Sequence, residues 1–124
     1  MKFVFSFILI THGFIHLLGF AKAFLLTDLS KQVLGISKPI GSLWLITFIL
    51  FVVSTSQFLN NKKWFYLGLI SVFISQALII MAWKDAKLGT IPNLIILLVG
   101  ISAYGKYRLQ KMVDIESKEN AESQ

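Results

Sequence analysis

The sequence predicts an all-α fold, a four-helix transmembrane bundle. Three observations carry that prediction. Between Lys2 and Lys106 lie four uncharged runs, 3–21, 39–61, 64–83 and 88–105, with every charged residue in the gaps between them. The runs are 19, 23, 20 and 18 residues long, and a helix needs about 20 mostly apolar residues to cross a ~30 Å hydrocarbon layer. Hydrophobic residues make up 56% of the chain and charged ones 15%, the reverse of a disordered or nucleic-acid-binding composition. The spans implied are 3–24, 41–59, 64–83 and 90–105. They form one transmembrane domain over 1–105, followed by a polar tail, 106–124, expected to lack fixed structure.

The formal charge of +6 comes from lysines in short loops and at helix ends. That distribution suits anionic lipid headgroups, and it predicts the lipid bilayer, with no nucleic acid, as the surface this protein meets. Cysteine is absent, which excludes disulfides, thiolate chemistry and cysteine–metal sites. A single layer of four helices leaves no room for a separate soluble catalytic unit, so an accessory protein is expected before an enzyme.

The first run follows Lys2 and ends near Ala21-Lys22-Ala23. A charged start, an apolar stretch and an A-x-A pattern also describe a cleaved signal peptide. The run is longer than the usual ~7–15-residue apolar core of such a peptide, and it contains two histidines, so it is read as a retained helix. The gap 27–38 mixes Leu29, Val33, Leu34 and Ile36 with Asp28, Lys31 and Lys38, the pattern of a short interfacial helix. Asn60-Asn61-Lys62-Lys63 is a tight polar turn that makes the second and third helices antiparallel neighbours. In the last gap Thr90 is placed to cap the fourth helix, with Pro92 in its first turn.

Four crossings put both termini on one side, with the Asn60–Lys63 turn. That face carries Lys2, Lys62, Lys63, Lys106, Arg108, Lys111 and Lys118, against Lys22, Lys31, Lys38, Lys84 and Lys87 opposite. The majority favours a multi-pass protein of the inner (plasma) membrane with cytoplasmic termini. Trp44, Trp64 and Trp83, with Tyr104 and Tyr107, read as interfacial belts at the two surfaces.

One constellation could carry chemistry. His12 and His16 are the only histidines, and a spacing of four sets both rings on one helix face. Gly19 and Ala23 continue that stripe, which should therefore face the bundle interior. Ionisable groups at bilayer depth are functional candidates by default. A pair at i, i+4 could chelate a divalent metal, ligate haem, bind a quinone, or relay protons. The plainest alternative is a neutral pair hydrogen-bonded to Ser or Thr on other helices. Ser42, Thr47, Ser54 and Thr55 on the second helix could supply such partners, as could Ser71, Ser75 and Gln76 on the third. Gln76 and Asn93 are the amides inside a span or at its mouth. Lys22, Asp28, Lys84 and Asp85 share one membrane surface and could frame a polar mouth above the histidines. The ligand-site candidates are thus His12, His16, Gly19, Lys22, Gln76, Asp85 and Asn93, with His12 and His16 as the candidate metal ligands.

His12-Gly13-Phe14-Ile15-His16-Leu17-Leu18-Gly19-Phe20-Ala21-Lys22-Ala23-Phe24 resembles the first helix of a group of small, uncharacterised bacterial four-helix membrane proteins. Ser37-Lys38-Pro39-Ile40-Gly41-Ser42-Leu43-Trp44 and Trp83-Lys84-Asp85-Ala86-Lys87-Leu88-Gly89-Thr90 resemble the same group. The likeness covers about 1–105 and implies the bundle without naming an activity. A looser likeness, of architecture alone, is to DoxX-like proteins, some of which are accessory or quinone-linked redox subunits. The function expected is a non-catalytic accessory or lipophilic-ligand-binding module that works with a membrane-protein partner or as a homo-oligomer. The alternative is a redox or metal-binding subunit built on His12 and His16. A channel or proton-conducting oligomer would need several protomers.

Overall fold

The computed structural model describes residues 2–24 and 38–124, with Lys22 and Asp85 described by backbone alone. Four long helices and a short connector make up those segments: α1 (Lys2–Phe24), α2 (Lys38–Leu59), α3 (Trp64–Met81), α4 (Trp83–Ala86) and α5 (Thr90–Glu122). Each of the four long helices is long and apolar enough to cross a membrane. The fold is the all-α bundle that the charge-free runs predict. The expected interfacial helix at 27–38 lies outside the described residues, apart from Lys38, which begins α2.

Chain order dictates packing. α1 packs along α2, α2 along α3, and α3 along α5, while α1 and α5 touch sparsely. α2 ends in a Schellman motif. The Lys62 N–H donates to the Gln57 carbonyl at 2.8 Å and the Asn61 N–H to the Phe58 carbonyl at 3.2 Å. Asn61 supplies the left-handed residue, φ 56°, that this cap requires. Lys2 Nζ donates to Asn61 Oδ1 at 2.9 Å, which places the start of α1 beside the α2–α3 turn. Phe5, Phe58 and Trp64 close that end as an edge-on aromatic trio with centroids 5.0–5.4 Å apart.

The bundle buries large apolar and aromatic side chains, Leu9, Phe51, Leu78, Ile79 and Ile96 among them, together with a set of polar ones. Thr47, Ser54, Thr55, Ser71, Ser75, Asn93 and both histidines are buried, while Phe7, Phe14, Leu18, Phe73, Ile80 and Leu98 face out. Lipid tails are as apolar as leucine, so apolar side chains serve on both faces, and small residues mark the places where helices approach most closely. A Cβ added at Gly19 would collide with the Trp44 ring, and one at Gly41 with the Ala23 Cβ. These glycines lock α1 onto α2.

The structure corrects four expectations. Trp44 and Trp64 are only 4% and 6% exposed and pack inside the bundle; Trp83, at 51%, is displayed at its surface. The indoles of Trp44 and Trp64 fill the room left by Gly19 and Gly68. Thr90 does not cap α5. A 3-10 turn, Lys87–Gly89, already holds right-handed helical geometry and feeds directly into the helix, leaving no break to cap. The third span stops two residues early, because Ala82 leaves helical geometry (φ −108°, ψ 34°) and turns the chain into α4. The tail is helical as far as Glu122. Beyond Gly105 it has no glycine or proline and is rich in Lys and Glu, good helix formers that extend a helix already nucleated in the membrane. Gln110 Nε2 supports it by donating to Asp114 Oδ1 at 3.1 Å.

Candidate functional site

Halfway along α1 the helical repeat turns His12 and His16 inward, 1% and 0% exposed, with ring centroids 5.0 Å apart. Aromatic rings from α2 hold them. His16 lies 4.9 Å from Trp44 and stacks on Phe51 at 5.7 Å, and His12 meets Phe51 edge-on at 5.1 Å. The polar partners come from the other side, from α3 and α5.

Those partners form one connected chain whose proton positions follow from chemistry. Asn93 Oδ1 can only accept, so the 2.7 Å contact requires a proton on His12 Nε2, which donates to it. The Ser75 hydroxyl donates to the same Oδ1 at 3.1 Å. Having given its one proton, that hydroxyl accepts from His16 Nε2 at 2.8 Å. His12 Nε2 also lies 3.2 Å from Ser75 Oγ. Asn93 Nδ2 donates to Gln76 Oε1 at 3.1 Å, and Gln76 Nε2 donates to Thr90 Oγ1 at 3.2 Å. The chain thus climbs from mid-bundle to the start of α5. Both imidazoles carry their proton on Nε2, and neither Nδ1 has a hydrogen-bond partner among the described residues. The opposite tautomer would bury an N–H with nothing to donate to, which is costlier than the present arrangement.

Beside this chain the sparse α1–α5 seam opens a groove of about 240 Å³, lined by Phe7, Ile8, Thr11, His12, Ile15, Ile91, Pro92 and Ile95. Its lining is apolar, and it opens on the bundle's aliphatic outer surface. Gly89 packs close to Ile79 and to the His12 ring. A Cβ there would come within 2.8 Å of Ile79 Cδ1 and 3.5 Å of His12 Cε1.

Five of the residues singled out in the sequence meet here: His12, His16, Ser75, Gln76 and Asn93. Gly19 does not join them and serves instead as the seat of Trp44. The side chains of Lys22 and Asp85, and all of Asp28, lie outside the described structure; Lys84 is exposed. The hydroxyls of α2 are not the histidines' partners. Thr47 and Thr55 donate to Leu43 and Phe51 carbonyls of their own helix, at 2.8 Å each, and Ser42 does the same to Lys38. Ser54 Oγ has no partner among the described residues.

No protein-family model, curated protein or solved structure matches the chain. Function is therefore read from the site alone.

Ser75 is among the hydroxyls the sequence offers as partners for the histidines, but its place as the hub of the chain, and that of Thr90 as its end, are not legible there. Ser75 joins both histidines to Asn93, and Thr90 accepts from Gln76. The available signal was the adjacency Ser75-Gln76, since a polar pair facing inward at membrane depth must find partners on facing helices. At the meeting point of the two Nε2 atoms stands the Ser75 hydroxyl. Among the described residues no group of three His, Asp or Glu side chains could hold a metal. Nor does the chain conduct protons along its whole length. Asn93 and Gln76 are amides, which donate and accept without exchanging a proton as imidazole and hydroxyl do. What the network does is fix the histidines' tautomer and orientation.

Proposed function

We propose that this protein is a non-catalytic, multi-pass membrane module that binds a lipophilic ligand in the α1–α5 groove. One observation carries the reading: the seam that the helices leave open faces outward and has a buried histidine at its floor. Binding sites are typically predominantly apolar clefts, and this groove is apolar throughout, with the His12 ring among its lining residues. A ligand dissolved in the bilayer would reach it sideways, without crossing the bundle. The positive-charge majority supports an orientation in the bacterial inner membrane with cytoplasmic termini. The likeness to small bacterial four-helix membrane proteins, and the looser one to DoxX-like proteins, belong to the same proposal, as does work alongside a membrane-protein partner or as a homo-oligomer.

The test is to extract the protein in native-membrane nanodiscs and identify the retained amphiphiles by mass spectrometry. The expected result is one species enriched in wild type and lost on Ile95→Trp, which fills the groove. Identical lipid profiles for the two proteins would refute the reading.

The redox or metal-binding alternative is supported by the paired, unpartnered Nδ1 atoms. An absorption spectrum with elemental analysis, wild type beside His12→Ala/His16→Ala, decides it. A chromophore or stoichiometric metal lost in the variant would replace the binding-module reading.

A further inference from the structure

The outer face of α5 carries an apolar stripe that no other described residue covers, and the stripe runs out of the membrane without a break. We infer that a second copy of this chain packs along it, α5 against α5, as a parallel two-stranded coiled coil over Leu98–Ile115. This gives the homo-oligomer a surface of its own, apart from the α1–α5 groove, since Ile91 and Ile95 lie beyond its membrane end.

The order of residues in α5 sets the pattern. Leu98, Ile101, Gly105, Arg108, Met112 and Ile115 follow one another at alternating spacings of three and four, the a and d positions of a heptad. All are exposed, while α5 buries Asn93, Ile96 and Gly100 on its other side. The helix continues to Glu122, so about 25 Å of it stands beyond Gly105 at ~1.5 Å per residue. There Leu109, Met112 and Ile115 meet water in place of lipid tails. A single exposed leucine means little, but a row that continues a heptad in register is what a partner helix covers. Apart from its own turn of helix, no described atom lies within 4 Å of where a Gly105 Cβ would be. The protomer's own packing therefore does not call for glycine there, whereas close approach of a second backbone does.

Charge selects the occupant. Lys111 falls at g and Glu116 at the following e, the positions that form ion pairs across a coiled coil. Two copies inserted the same way round meet in parallel, so two-fold symmetry forms that pair twice. Arg108 is the one charge at an a or d position of this stretch, and its guanidinium leans aside over the Tyr104 ring, 5.9 Å from the centroid. The competing occupant is the bilayer surface, and the order of charges opposes it. Lys106, Arg108 and Lys111 come first, and Asp114, Glu116, Glu119 and Glu122 follow. A tail laid flat would press those carboxylates onto anionic headgroups, whereas an upright one keeps only its basic turn there.

The chain has no cysteine, so one introduced thiol reports its own position. Single-cysteine variants of the full-length protein, dilute in phosphatidylglycerol–phosphatidylethanolamine vesicles, are oxidised with copper–phenanthroline. Met112→Cys and Ile115→Cys should give disulfide-linked dimers, and Gln110→Cys and Ser117→Cys, on the opposite face, should not. Adding Met112→Glu to Ile115→Cys sets like charges on the axis and should lower the dimer yield roughly tenfold. Lys111→Glu or Glu116→Lys alone should weaken association roughly fivefold, and the two together should restore it. These side chains are exposed in the protomer, so the variants keep its fold. Equal crosslinking at all four positions, or at none, would overturn the inference, as would a dimer indifferent to Met112→Glu. A monomer whose Met112→Cys thiol is shielded from aqueous maleimide would overturn it in favour of the bilayer surface. Each of those results leaves the groove reading to its own test, ligand retention and its loss in Ile95→Trp.

Discussion

α1 has two seams, and they are built in opposite ways. Against α2 it is locked by absent side chains: Gly19 beneath the Trp44 ring, Gly41 against Ala23, and Gly13 beside Phe51. Against α5 it scarcely touches, and a groove runs between Ile15 and Ile95 to the His12 ring. The contrast shows where a membrane bundle gets rigidity and where it can accept something else. Close backbone approach makes a seam that lipid cannot enter. An open seam has to be filled by a lipid tail or by a ligand. The histidines sit between the two, held by α2 aromatics on one side and by α3 and α5 polar groups on the other.

The largest effect should come from spoiling the locked seam. Gly41→Val sets a branched side chain against the Ala23 Cβ, where neither atom can turn away. The expected loss is about 3 kcal/mol, the upper end of ordinary overpacking. Reversible unfolding in detergent measures it, and a variant as stable as wild type would show that the seam is not close-packed.

That seam was partly legible in the sequence and the open one was not. Charge-free runs bounded by lysines mark four spans because a buried lysine at bilayer depth is so costly. The pairing of His12 with His16 follows from helical spacing alone. The partners of the histidines could not be read, because Ser75, Ser54 and Thr47 look alike in sequence. Only the rotation of each helix separates a hydroxyl that bonds its own backbone from one that meets a neighbour. The burial of Trp44 and Trp64 is hidden in the sequence for a related reason. An indole near a span's end suits the headgroup level, but it suits a glycine-lined pocket as well, and the pocket exists only once two helices have met. The tail shows the opposite error, where polar composition concealed good helix formers that continue α5.

Next in size is the polar chain. Asn93→Leu leaves the Ser75 hydroxyl proton and Gln76 Oε1 without partners and leaves the His12 N–H only its longer contact, 3.2 Å, to Ser75 Oγ. A single hydrogen bond between membrane helices averages only ~0.6 kcal/mol, but stranding several buried groups should cost about 2 kcal/mol. The same unfolding assay checks this, together with loss of the Nε2–H tautomer of His12 in the 15N spectrum. A loss under about 0.5 kcal/mol with the tautomer kept would mean the network does not orient the ring.

Smaller still is the effect of filling the open seam. Ile95→Trp should leave stability within about 0.5 kcal/mol, because the side chain points outward, yet abolish ligand retention. A large destabilisation would mean α5 needs that face for packing. Least of all, Lys2→Leu removes an exposed hydrogen bond to Asn61 and should cost at most about 0.5 kcal/mol. A larger loss would show that the α2–α3 turn depends on α1.

The most direct test maps where a bilayer-borne probe touches the protein. A fatty-acyl diazirine photolysed in nanodiscs, followed by tandem mass spectrometry, gives adducts residue by residue. The account predicts adducts concentrated on Phe7, Thr11, Ile15, Ile91 and Ile95, and their loss in Ile95→Trp. Adducts spread evenly over outward residues such as Ile46, Ile49 and Phe73 would contradict it.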